Sequence, residues 1–150
     1  MNEAGIDTQK QEKVLSSLSR FGYSKLLKGI RPEVLEGQIA SDADMCEALG
    51  VNGILRTYSY TIKHGRPFFD KNIYPIEDMD ASKYNRSCSD TGVCHLFEKG
   101  LKLRNLMLTK GGIKEAEKRH RITVDFLYQL FDEDDAPEWK EYLKNFLEKN

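Results

Sequence analysis

Apolar residues recur every three or four positions along most of this chain, and no alternating run is long enough to suggest a sheet. That periodicity restricts the chain to packed helices. A length of 150 residues, 39% of them hydrophobic, fits one domain with a real core and no need for stapling. The reading is therefore a single all-α domain over 1–150.

Thr8 with Gln11 reads as a capping box that opens a short helix with Val14, Leu15, Leu18 and Phe21 on one stripe, stopped at Gly22. Pro32 opens a longer helical run carrying Leu35, Ile39, Asp42, Cys46 and Leu49 on one face. Ala40, Asp44, Ala48, Val51 and Leu55 lie on a second face, so this helix reads as buried on both sides around its two carboxylates. From Tyr58 to Arg86 the pattern gives way to aromatic and turn residues, including Gly65, Pro67 and Pro75, which predicts a long ordered loop. Helical spacing returns with Val93, Leu96, Phe97, Leu101 and Met107, and Gly111-Gly112 is read as a stop and tight turn. Ile113, Ala116, His120, Val124, Leu127 and Phe131 define the next helix. The acidic run Asp132 to Asp135 and Pro137 then precede a last helix with Trp139, Tyr142, Leu143, Phe146 and Leu147.

Charge excludes some functions. With 23 basic and 24 acidic residues the net charge is -1, so no global field recruits long nucleic acid or an anionic membrane. No apolar run approaches the roughly 18 residues needed to span a bilayer, and the polar N-terminus lacks a signal-peptide core, which predicts a cytoplasmic protein. The three cysteines, Cys46, Cys88 and Cys94, have no framework spacing and read as reduced thiols.

Asp42 and Asp44 are the residues with the most chemical content, because a carboxylate on a buried helix face needs a hydrogen-bonding partner, a proton or a cation. One reading makes them ligands for a hard divalent ion; the other has them capping nearby helices or meeting Arg56 and Arg66. Arg56, Lys63 and Arg66 form a candidate phosphate-facing set. Tyr58, Tyr60, Phe68 and Phe69 are read as packing, and Lys118, Arg119 and Arg121 as a solvated face. His64 reads as a solvated loop residue and His120 as a hydrogen-bonded core residue. Cys88, Cys94 and His95 lack the paired spacing of a zinc site.

The segment Glu36 to Asp70, EGQIASDADMCEALGVNGILRTYSYTIKHGRPFFD, resembles the stretch around the last metal-ligand aspartate in a bacterial subfamily of HD-superfamily phosphohydrolases. CHLFEKGLKLRNLML and EAEKRHRITVDFLYQLF are similar to that subfamily's C-terminal helices, so the likeness covers almost the whole chain. It implies an HD-domain-like helical array with residues 1–70 as the remainder of the core, 71–91 as a loop and 92–150 as C-terminal helices. It also implies metal-dependent hydrolysis of a phosphomonoester, phosphodiester or nucleotide, with Mg²⁺, Mn²⁺ or a similar ion as cofactor once the site is complete. Asp44 resembles the ligand, with Asp42 as the alternative or a support behind it; Arg56 or Arg66 would face the transition-state charge.

Two departures accompany the likeness. Met45 and Cys46 stand where a basic and an aliphatic residue are usual, and the family's upstream histidine and His-Asp pair would fall before Met1. The chain is thus expected to be N-terminally truncated relative to the family. An HD-type enzyme would then need ligands from a separately encoded upstream fragment or from a longer natural chain in which Met1 is internal, while the competing reading is a non-catalytic helical module for binding or oligomerisation. Truncation predicts exposed apolar surface, and with it a homo-oligomer or association with a missing N-terminal fragment.

Overall fold

The computed structural model describes residue 5, residues 7–76 and residues 90–150, and among these described residues it has seven α-helices, one 3₁₀ segment and no strand. The helices are α1 (Thr8–Ser19), α2 (Tyr23–Leu27), α3 (Leu35–Cys46), α4 (Gly50–Lys63), α5 (Gly92–Glu98), α6 (Lys110–Glu133) and α7 (Pro137–Lys149). The 3₁₀ segment Gly100–Leu106 joins α5 to the approach of α6.

The long α6 is the organising element, packing against α3, α4, the 3₁₀ segment and α7. Its Leu127 and Phe131 join Val93, Leu96 and Phe97 of α5 and Trp139 and Leu143 of α7 in one buried cluster. Trp139 is fully buried, stacks on Tyr74 at 4.5 Å and donates its indole N–H to the Lys71 carbonyl, so the start of the loop after α4 is tied to the last helix. A second cluster lies at the other end of α6, where Ala116 meets Tyr23 and Leu26 of α2, Met45 and Cys46 of α3, and Leu103 and Met107.

Several element boundaries differ from the sequence reading. Asp7, not Thr8, caps α1, accepting from the Lys10 N–H, and the α1 stripe Val14, Leu15 and Leu18 faces solvent. The run after Pro32 is two helices, broken at Glu47–Leu49, where α3 turns into α4. Gly50 makes that corner: its φ of +66° favours glycine, its N–H donates to Thr123 Oγ1 at 3.0 Å, and a Cβ there would press on Arg119. α4 then continues to Lys63, past the point where the aromatic residues suggested a loop. Leu35, Ile39, Val51 and Leu55 are exposed, so the acidic stretch is not buried on both sides. Gly111 and Gly112 open α6 instead of ending a helix, and Ile113 is exposed.

Most of the expected loop, including Cys88, lies outside the described residues. Its flanks are ordered by α5: the Gly92 and Val93 N–H groups donate to the carbonyls of Pro67 and Phe68, and the Ile76 N–H donates to Glu98 Oε1. Phe68 and Phe69 pack on the core as expected, whereas Tyr58 and Tyr60 are exposed.

Candidate functional site

The two carboxylates of α3 have opposite surroundings. Asp42 is 3% exposed and both of its oxygens are engaged: Oδ1 accepts from the Leu108 N–H at 2.8 Å, and Oδ2 accepts from the Thr109 N–H at 2.8 Å and the Thr109 hydroxyl at 2.7 Å. Thr109 is itself the N-cap of α6, its hydroxyl accepting from the Gly112 N–H. Asp42 therefore clamps the entry to α6, where a negative charge also complements the helix dipole. A Cβ on Gly112 would collide with the Asp42 carboxylate, so glycine at that position is what lets the side chain reach the cap. Of the two sequence readings, helix capping describes Asp42.

Asp44 lies two residues on and is exposed in the last turn of α3. One turn further, Glu47 pairs with Arg56 at 3.6 Å, which holds Arg56 beside the C-terminal end of α3. Both partners are largely solvent-exposed, so the pair is weak and Arg56 is easily redirected. Arg66 leaves the opposite end of α4, its backbone N–H bonded to the Thr61 carbonyl. Seven residues of α4 separate Arg56 from Lys63 alone, about 10 Å of helix axis, so the two arginines do not form one cluster with Asp44.

His64 is exposed at the α4 C-terminus, stacked on Tyr60 at 4.0 Å and donating from Nδ1 to the Tyr60 carbonyl. His120 is buried as expected, yet its Nδ1 has no hydrogen-bond partner among the described residues; burial first, and the Arg104 charge second, lower its pKa to about 4. Cys46 and Cys94 are buried free thiols, both pushed above their ordinary pKa chiefly by burial, which suits inert structural thiols. Lys118 pairs with Glu115 on α6, a solvated face as the sequence suggested, whereas Arg119 departs from that reading: half-buried, it pairs with Glu115 and donates to the Cys46 carbonyl at 3.0 Å, tying α6 to α3.

An open groove of about 590 Å³ runs between α3 and the start of α6, lined by Ile39, Ala43, Cys46, Gly111, Glu115 and Arg119, among others. Asp42 sits in its wall and Asp44 does not line it. This groove is not legible in the sequence, because the glycine pair on one side of it has the pattern of a helix end.

Among the described residues, no three His, Cys, Asp or Glu side chains gather where they could hold a metal ion. Asp42 is committed to protein donors and Asp44 offers one exposed carboxylate. This donor set does not by itself fit a divalent ion, which needs several oxygen or imidazole ligands. No helix among the described residues is long and apolar enough to cross a membrane.

The same helical arrangement occurs in solved proteins. A Lactobacillus plantarum protein is 30% identical over 90% of this chain, with a TM-score of 0.78, and the chain covers 65% of it. An HD-superfamily hydrolase of Bacillus thuringiensis is 31% identical over 90% of this chain, with a TM-score of 0.67 and 58% of its own length covered. The fold is HD-domain-like.

Bacillus subtilis YpgQ, an uncharacterized protein, is 27% identical over 136 residues, which is 89% of this chain and 56% of YpgQ. YpgQ has been solved in complex with ADP, and at 21% identity and a TM-score of 0.63 that likeness bears on the fold alone. No family model matches the chain. The chain thus spans between about half and two thirds of the relatives it matches.

Proposed function

We propose that this chain is the aspartate-bearing, C-terminal part of an HD-type metal-dependent phosphohydrolase, and that it is inactive until ligands from outside it complete the site. The observation that carries the reading is the division of labour on α3 within an HD-domain-like fold: Asp42 is used up inside the protein, while Asp44 remains exposed at the position that resembles the family's last ligand. In this reading Asp44 contributes one carboxylate to a Mg²⁺ or Mn²⁺ ion, and Arg56, held near the same end of α3, supplies positive charge for a phosphate. Arg66 is the weaker candidate, because it leaves the far end of α4. The substrate class is a phosphorylated small molecule or nucleotide. The B. thuringiensis relative is a hydrolase, which is compatible with that class.

The incomplete donor set favours a second reading, a helical module with no catalysis at all. One experiment separates the two. The portion of the B. thuringiensis hydrolase that this chain does not span is joined to the chain, and both the chimera and the chain alone are assayed on a phosphoester panel with Mn²⁺ or Mg²⁺. The chain alone should be inactive and the chimera active, with Asp44→Ala lowering the rate at least about a hundredfold. A helical, folded chimera without metal-dependent activity leaves the non-catalytic module standing.

A further inference from the structure

Ten of the twelve residues of α1 are exposed; Gln11 and Ser17 are half-buried, and none is buried. Val14, Leu15 and Leu18 face solvent, so little hydrophobic burial holds this helix in place. It packs on α3, where a Cβ at Gly37 would stand 2.7 Å from Ser17 Oγ, so the missing side chain is what seats Ser17. At the C-terminal end of α1, Arg20 pairs with Glu33 at 2.8 Å with side-chain exposures of 36% and 71%, a contact that solvent weakens. The chain just beyond is firmly anchored: Tyr23 and Leu26 of α2 are buried in the second cluster, and the Tyr23 hydroxyl donates to the Glu98 carbonyl at 3.2 Å. Between the loosely held helix and this anchor lies Gly22, whose φ of +104° is a conformation that side-chain-bearing residues rarely adopt.

We propose that α1 is a hinged arm that docks on α3 and releases from it as a unit, turning about Gly22, while the rest of the fold stays intact. A segment with so few buried apolar contacts opens at a free energy well below that of global unfolding. A twelve-residue helix is marginal in water on its own, so leaving α3 and unwinding are one step. Gly37 and Asp44 are seven residues apart, two turns along the same side of α3. Release of the arm therefore extends the open surface beside the Asp44 carboxylate. On the reading that Asp44 belongs to a site completed from outside the chain, the docked arm narrows the approach to α3 and the released arm widens it. The release itself does not depend on that reading.

Hydrogen exchange of the full chain, followed amide by amide by NMR, tests the arm. Residues 12–19 should share one opening equilibrium and exchange at least about a hundredfold faster than residues 116–131 of α6, while still being protected relative to an unfolded chain. Ser17→Phe adds bulk on the arm itself where it meets Gly37. It should speed exchange throughout residues 12–19 by about a further tenfold, and leave both α6 exchange and the urea midpoint read at Trp139 unchanged. Ser17→Ala, which keeps the seat, should exchange like the native chain. Protection of α1 equal to that of α6 would overturn the proposal, and so would no protection at all, since the arm would then not dock. A gradient of protection rising steadily from residue 12 to residue 19 would overturn it as end fraying. A lowered Trp139 midpoint in Ser17→Phe would do the same, by making α1 part of the global unit.

Discussion

Two aspartates separated by one alanine look interchangeable in sequence, and the structure gives them different work. Asp42 accepts from two backbone N–H groups and a hydroxyl in a nearly water-free site; Asp44 is exposed to solvent. Asp42→Ala would orphan the Leu108 and Thr109 N–H groups and should cost about 2–4 kcal/mol in urea denaturation, since buried donors without acceptors bear their full desolvation penalty. Asp42→Asn, which keeps one acceptor oxygen, should lose less. Asp44→Ala should leave the denaturation midpoint unchanged, so any effect it has on metal-dependent activity would be separable from folding. The cap was legible only as one of two alternatives, because the donors it serves lie more than sixty residues away in sequence. A loss at Asp44 as large as that at Asp42 would contradict this assignment.

At the scale of the element, the sequence pattern located the helices better than it located their ends. The apolar spacing of α6 and α7 carried through to buried Ala116, Leu127, Phe131, Trp139 and Leu143. The α3–α4 corner was missed because the helical period continues through it, and the break depends on Gly50 closing against Thr123 of α6, a tertiary contact. The end of α4 was misjudged for the opposite reason: Tyr58 and Tyr60 have ordinary helix propensity and no local signal stops the helix before Gly65. The glycine pair offers a sharp test of the α6 start. Alanine at Gly111 meets nothing within 4 Å, so Gly111→Ala should stabilise the protein by up to about 1 kcal/mol through lower backbone entropy in the unfolded chain. Gly112→Ala gains the same propensity but drives a methyl into Asp42, and should be destabilising by about 1–3 kcal/mol. Thermal midpoints of the two variants should move in opposite directions; movement in the same direction would mean that Asp42 does not hold the α6 cap against Gly112.

For the whole molecule, helical periodicity specified the all-α class, and the quoted motifs pointed to an HD-domain-like arrangement before any contact was known. What the sequence left open was how burial distributes charge, and this has a consequence for the folded state as a unit. His95, in α5, and His120, in α6, are both held neutral in the fold, each pKa lowered from 6.5 to about 4 mainly by burial, with Lys99 and Arg104 adding repulsion to the protonated forms. Unfolding releases both rings to water, where they take up protons near their ordinary pKa. Stability is therefore fully present above about pH 6.5 and is lost as the pH falls from there towards 4, by up to about 1.4 kcal/mol per pH unit for each histidine. Trp139, the single tryptophan, is fully buried and reports global unfolding by its fluorescence. Urea titrations followed at Trp139 should give a midpoint that is flat between pH 7 and 8 and drops between pH 6.5 and 5. His120→Gln, which removes one titrating ring and keeps a polar side chain, should make that drop shallower whatever it does to stability at pH 8. An equally steep drop in the variant would show that His120 is not among the groups that couple folding to protons.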